Sequence, residues 1–305
     1  MNYIKHLHDK GYSPRTREEK LSTIKRFTAW LHGQNSRIEQ VSCNLVLQWI
    51  KELQHENVRQ STINKYLSSI KHYLNYLVSN GDIAYNPILS IKLQGIIRRQ
   101  LHHLLSPDEL EELYQSYHIS QAPGGKPSSL GHHHYLARCR NKIILGLLIY
   151  QGISVHSLNK LKVTHINLIR GEITIPSSRR NNERTLKLQA HQVFELHEYL
   201  TQLLPQLKQR SGKVGDELFI SSGKSGSIGY TITKFFNQLR ALNSSLTSLY
   251  QLRASVISNW LKHYNLRQVQ YMAGHRYVSS TERYQSHNIE QLQHIINKHI
   301  LNPDC

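Results

Sequence analysis

Cysteine is scarce in this chain, and the few present are badly placed for pairing. Cys43, Cys139 and Cys305 are the only three in 305 residues. So wide a spacing makes neither a disulfide framework nor a zinc-binding pair, which fits a reducing compartment. Acidic residues are also short, 20 against 38 lysines and arginines, leaving a formal net charge of +18. Such a surplus points to a polyanionic partner, nucleic acid first. No apolar run approaches the length of a membrane span, and the opening residues MNYIKHLHDKGYS hold no apolar signal segment. A soluble, cytoplasmic protein with no membrane partner is therefore expected. Hydrophobic residues are not short: at 39% they suffice for packed cores and exclude a disordered chain. The length suggests two domains.

The first hundred residues read as helices only. Ser13-Pro14 caps one that carries Leu21, Ile24, Phe27 and Leu31 and ends at Gly33. A second carries Leu45, Val46, Ile50 and Leu53. A third starts near Ser61, aligns Ile63, Tyr66, Leu67, Ile70, Leu74 and Leu77 on one face, and stops at Asn80-Gly81 before the turn at Asn86-Pro87. Residues 1–95 thus form a small helical bundle, with 96–104 as a basic linker containing Arg98 and Arg99.

A second domain, 105–305, opens with the capping box Ser106-Pro107-Asp108-Glu109. The stretch 117–135, rich in Gly, Pro, Ser and His, reads as a loop. Adjacent His132, His133 and His134 do not by themselves build a metal site. A buried helix with Ile143, Ile144, Leu147 and Leu148 runs to Gly152. Three short strands follow: Ile166 to Ile169, Glu172 to Pro176 across an Arg170-Gly171 turn, and Glu183 to Leu188. Helices are expected over 190–209, 230–242, 249–264, 266–273 and 288–300.

The chemistry gathers near the C-terminus. Tyr250-Gln251-Leu252-Arg253 precedes the motif GHRYVSSTERYQSH, in which His275 and Tyr284 stand nine residues apart. A phenol can attack a phosphodiester if cations hold the non-bridging oxygens and an acid protonates the leaving 5′ hydroxyl. Arginines can supply that charge, so no metal or other cofactor is called for.

With these motifs the chain resembles the tyrosine recombinases, the phage-type integrases, over nearly its whole length. The resemblance implies a mainly α protein. A SAM-like core-binding bundle would clamp one face of double-stranded DNA, and an α+β catalytic domain would contain a small three-stranded antiparallel sheet. It makes Tyr284 the nucleophile, Arg253 the second arginine of the pattern HxxR, and His275 the histidine-or-tryptophan position. Arg59, Lys65, Lys71, His72, Arg98, Arg99 and Arg180 are the DNA-contact candidates.

The chain also departs from the family pattern. The family's first arginine falls on Ser154 and the acidic position after it on Ser157, in the segment Gln151 to Leu158. The histidine of HxxR is Tyr250, and the hairpin lysine that serves as general acid falls on Arg179. A guanidinium, with its very high pKa, is a poor proton donor. Arg138, Arg140, Lys142, Arg180 and Lys187 are candidates to replace the lost cation. Two functions stay open. One is a recombinase of a mobile element working through a 3′-phosphotyrosyl intermediate. The other is a catalytically inactive recombinase-fold factor, such as a transposon target selector or accessory protein. Either would be nucleoid-associated when bound to DNA. Ile289, Leu292, Ile295, Ile296 and Ile300 form an apolar stripe. The resemblance implies that this last helix docks into a neighbouring protomer and builds a homo-oligomer on DNA, with mobile-element helper proteins as possible partners.

Overall fold

The computed structural model describes residues 3–91, 103–119, 130–179, 181–221 and 228–285. The chain divides into two compact units, Met1–Gln100 and Leu101–Cys305. Arg98, Arg99, Arg180 and the stretch 288–300 lie outside the described residues.

In the first unit the helices are α1 (Tyr3–Asp9), α2 (Pro14–Gly33), α3 (Cys43–His55) and α4 (Gln60–Asn80). The Ser13 hydroxyl accepts from Thr16 N at 3.3 Å and the Ser42 hydroxyl from Leu45 N at 3.3 Å, so both helix starts are capped. Gly81, at φ +80°, closes α4 in the left-handed conformation that its missing Cβ permits. Phe27, Leu31, Trp49, Leu53, Ile63, Ile70 and Leu74 fill the core.

Helix α1 was not expected, because its seven residues carry too few apolar positions to show a period. Tertiary contact holds it: Tyr3 and Leu7 are buried, and the Tyr3 hydroxyl shares a proton with His72 Nδ1 at 2.9 Å. This corrects the reading of His72. It packs among the Tyr3, His6 and Tyr12 rings. Burial first, then Lys20, His6 and Lys10, push its pKa down to about 4. A neutral, engaged imidazole brings no charge to a phosphate at pH 7. Lys71 donates to Leu89 O at 3.0 Å and also to Ile91 O, tying the chain after α4 back onto the helix. Arg59 and Lys65 are exposed, and Lys65 lines a groove of about 620 Å³ with Lys20, Arg26 and Tyr66.

The second unit contains α5 (Pro107–Ser116), α6 (Leu130–Ile149) and α7 (Val155–Leu158), then β1 (Ile166–Asn167), β2 (Glu172–Ile175) and β3 (Arg184–Lys187). After them come α8 (Ala190–Glu198), α9 (Leu204–Ser211), α10 (Ile228–Leu242), α11 (Leu249–Trp260) and α12 (Leu266–Ala273). The sheet is antiparallel in the order β1-β2-β3, with Ile173 opposite Leu186 and Ile175 opposite Arg184. Helix α6 runs through the core, with Leu136, Ile144, Leu145, Leu147 and Leu148 all buried. The fold is the mainly helical one with a small three-stranded sheet that the sequence implies.

Several boundaries differ from the sequence reading. Residues 130–135, expected as loop, are the first turns of α6. There the histidine run faces α9, and His132 Nε2 lies 2.8 Å from Gln206 Oε1. Strand β1 is two residues long, because Asn167 Oδ1 accepts from Arg170 N at 3.0 Å and turns the chain early. The helix expected over 190–209 is interrupted by a wide π turn at Tyr199–Leu203. Pro205 follows it and has no N–H to continue the α ladder. Helix α11 stops at Trp260 rather than running to 264.

Candidate active site

Helix α11 supplies two of the groups. Ser248 caps it, accepting from Gln251 N at 3.2 Å, and residues 251–258 are buried throughout. Arg253 is 7% exposed. Its guanidinium donates to Gly152 O and, at 2.7 Å, to Ala273 O, and it stands 3.4 Å from His275 Nε2. Gly152, at φ +55°, lies flush on α11: a Cβ there would come within 3.1 Å of Trp260 and Val256. Its carbonyl is thereby aimed at Arg253. Burial pushes the Arg253 pKa down from its ordinary value, with the Tyr284 and Tyr250 phenols opposing.

Helix α12 supplies the third group by ending where it does. Gly274, at φ +69°, terminates it, and His275 N then donates to Gln270 O at 2.9 Å. His275 Nδ1 lies 2.9 Å from the buried Thr281 hydroxyl. Arg253 donating to Nε2 leaves the imidazole proton on Nδ1, pointing at Thr281. The His275 pKa is pushed down to about 4, first by burial and then by Arg253 and Arg184.

Residues 279–285 are helical and present Tyr284, 6% exposed, against Ala254, Ile257, Val269 and Ala273. Its ring stacks parallel on His275, centroids 5.7 Å apart at 8°. The Tyr250 hydroxyl donates to the Tyr284 hydroxyl at 3.2 Å. Arg253, His275, Tyr250 and Tyr284, read separately from the sequence, are therefore one cluster.

The likeness to known families covers most of the chain. Residues 105–291 match the phage integrase family, and residues 1–81 match the phage integrase N-terminal SAM-like domain. This chain belongs to the phage integrase family. It is 25% identical over 280 residues to tyrosine recombinase XerD of Pseudomonas aeruginosa, covering 90% of this chain and 88% of that one. It is 26% identical over 267 residues to XerD of Rickettsia conorii, covering 83% and 82%. Among solved structures it shares its fold with the Tn1549 transposon integrase in complex with a circular intermediate DNA, at TM-score 0.65, 16% identity and 92% and 93% coverage. A lambda integrase dimer bound to a COC′ core site gives TM-score 0.65, 16% identity and 92% of each chain.

In this member of the family the departures have structural partners. Ser154 caps α7: its hydroxyl accepts from Ser157 N at 3.1 Å and lies 2.9 Å from the Ser157 hydroxyl. The two serines thus satisfy each other. Arg179 is exposed in the β2–β3 connection and makes no hydrogen bond or ion pair among the described residues. That connection is tied to the His275 loop, with Asn182 N donating to Gly274 O at 2.9 Å and Asn181 bridging to His275.

Of the replacement cations named from the sequence, Arg180 lies outside the described residues and the other four are engaged elsewhere. Arg140 donates to Ile220 O at 2.8 Å and to Asn141. Arg138 lies over the Tyr117 ring. Lys142 donates to Tyr114 O and Tyr117 O, and Lys187 pairs with Glu172 at 2.9 Å. Sequence reasoning missed Arg184 on β3, which is 2% exposed and close enough to Arg253 and His275 to shift with them. The signal was faint: an arginine in a strand facing a core position of the sheet.

The partly buried imidazole has a measurable consequence. The His275 pKa lies below its unfolded value, so the unfolded chain binds the extra proton first. The stability this group contributes is complete above pH 6.5 and is lost as pH falls from there through about 4. After allowance for partial exposure the effect is about 1–3 kcal/mol. His275→Gln is expected to melt with a shallower pH dependence over that window than wild type. Parallel melting curves would show that His275 does not titrate on unfolding.

Proposed function

We propose that this chain is a site-specific DNA recombinase of a mobile element that breaks and rejoins strands through Tyr284. The observation that carries this reading is the Tyr284 phenol itself. It is stacked on His275, held by Tyr250 at 3.2 Å, and set beside the buried Arg253. A tyrosine serving only as core filling needs none of these neighbours.

In the proposed reaction the Tyr284 oxygen attacks the scissile phosphorus. A 3′-phosphotyrosyl bond forms and the bond to the 5′ oxygen breaks. Arg253 carries the charge building on the non-bridging oxygens; once it has turned to the phosphate, neutral His275 shifts to its Nε2–H tautomer, Nδ1 accepting from the Thr281 hydroxyl, and Nε2 gives one of those oxygens a hydrogen bond. Tyr250 steers the phenol. The phenolic proton passes to solvent, and the leaving 5′ oxygen takes one from solvent, with exposed Arg179, in the β2–β3 connection, as the candidate to hydrogen-bond that oxygen. Rejoining runs the same steps backwards, and no cofactor takes part.

We assign residues 1–95 to core binding, 96–104 to the linker and 105–305 to catalysis, with Arg59 and Lys65 as phosphate contacts of the first domain. The protein acts in the cytoplasm, on the nucleoid, with helper proteins of its element as further partners. The test is incubation with a nicked suicide duplex bearing its site, selected from random sequence. A covalent protein–DNA band on a denaturing gel supports the reading. Saturated binding with no band means a factor that recognises DNA without cutting it.

The apolar stripe of residues 289–300 is assigned to docking on a neighbouring protomer. Truncation after Gln285 is expected to reduce cooperativity on a duplex with two half-sites, with little change in affinity for one. Equal loss of both, or unfolding, would place that segment on its own domain.

A further inference from the structure

Arg184 opens β3 and is 2% exposed. Its Nε donates to Met272 O at 2.8 Å, whereas Nη1 and Nη2 are buried with no hydrogen-bond partner among the described residues. Buried polar groups are almost always satisfied, and a buried charge is normally paired. Here no carboxylate answers it: the ion pairs among the described residues all lie elsewhere. A like charge is close instead. Burial first and then Arg253 push the Arg184 pKa down to about 9.

The approach of Arg184 to the His275 loop is built in. A Cβ on Gly274 would lie 2.3 Å from Arg184 Nη1 and 2.8 Å from Cζ, and the φ of +69° there also favours glycine. Strand and loop are stitched together by the Asn182–Gly274 hydrogen bond and the Asn181–His275 bridge. Two buried guanidiniums thus converge on the loop that carries His275, and neither pairs with an acidic group among the described residues. Such an arrangement is poised for an anion. The position where the family has its first arginine holds Ser154, committed to capping α7.

We propose that Arg184 binds a non-bridging oxygen of the scissile phosphate, supplying from β3 the positive charge that Ser154 cannot. This rests on the cleavage reading given above. Arg184 makes and breaks no covalent bond. As Tyr284 attacks, its Nη groups gain the acceptor they lack in the free protein, and the charge spreading over the phosphoryl oxygens is shared between Arg184 and Arg253.

The test uses the full chain on the suicide duplex in two forms. One has an ordinary phosphate at the scissile position. The other has a methylphosphonate, in which one anionic oxygen is replaced by a neutral methyl group. Arg184→Gln is expected to form the covalent adduct on the order of 10²-fold more slowly than wild type on phosphate, and methylphosphonate is expected to restore most of that loss. Arg184→Lys, which keeps the charge without the fork, should fall between, and it carries the same comparison if the glutamine variant does not fold. Equal loss on both duplexes, or no loss on either, overturns the inference, because a merely structural arginine cannot distinguish the two phosphorus groups. If wild type forms no adduct at all, the cleavage reading fails first and binding decides instead. Wild type must then prefer phosphate to methylphosphonate at the central position, and Arg184→Gln must lose the preference. A preference that persists in the variant overturns the inference.

Discussion

Tyr284→Phe is expected to reduce covalent attachment to DNA to background while leaving site affinity within about twofold. The change deletes one oxygen. The ring stays in its apolar seat against Ala254, Ile257, Val269 and Ala273 and can still stack on His275. The Tyr250 hydroxyl loses its acceptor, but Tyr250 is half exposed and water replaces the partner. The stability cost should therefore stay near 1 kcal/mol. Chemistry is different, because the deleted oxygen is the proposed nucleophile. Tyr250 is the nearest alternative, so the double variant Tyr250→Phe, Tyr284→Phe is the control. An adduct that survives in Tyr284→Phe and vanishes in the double variant would reassign the nucleophile to Tyr250. An adduct that survives in both would remove the site from this cluster altogether.

The second large effect is expected at Arg253. Loss of one preorganised charge-stabilising donor typically costs on the order of 10²–10³ in rate. Here the guanidinium also ties together three segments: Gly152 before α7, Ala273 at the end of α12, and the His275 ring. Arg253→Ala leaves two buried carbonyls without their donor, so a fall in stability of about 1–3 kcal/mol should accompany the catalytic loss. Arg253→Lys separates the effects. It keeps a positive charge but cannot fork to two acceptors, so the rate should recover only in part. The measurements are adduct formation at saturating protein and the melting temperature of each variant. An Arg253→Ala protein that folds, binds and cleaves at the wild-type rate would show that the phosphate is held elsewhere. Because the first family arginine is already replaced by Ser154, the loss at Arg253 should not simply add to a loss at Arg184: groups acting on one phosphate work as a unit.

How much of this was legible differs from residue to residue. The helices α2, α3 and α4 announce themselves because their caps and apolar spacing are local: Ser13, Ser42, Gly81 and the Ile63-to-Leu77 stripe act within a few turns of chain. Helix α1 and the first turns of α6 are silent for the opposite reason. Their stability comes from what they touch, Tyr3 on His72 and His132 on Gln206, at sequence separations no local pattern records. The π turn at Tyr199–Leu203 is likewise a compromise between Pro205 and the packing of a helix already committed to the core.

The sequence by itself determined the family, the mainly helical fold with its small sheet, and the side chains Arg253, His275, Tyr250 and Tyr284, because each lies in a contiguous motif. Tertiary structure alone decided the rest. It engaged His72 with Tyr3, spent Arg138, Arg140, Lys142 and Lys187 on other partners, and closed Ser154 and Ser157 on each other. It also carried Arg184, distant in sequence from both α11 and the His275 loop, to the side of Arg253. Charge does not advertise its partners along a chain; only folding decides which cation is buried and which groups it meets, and that is a property of three-dimensional packing.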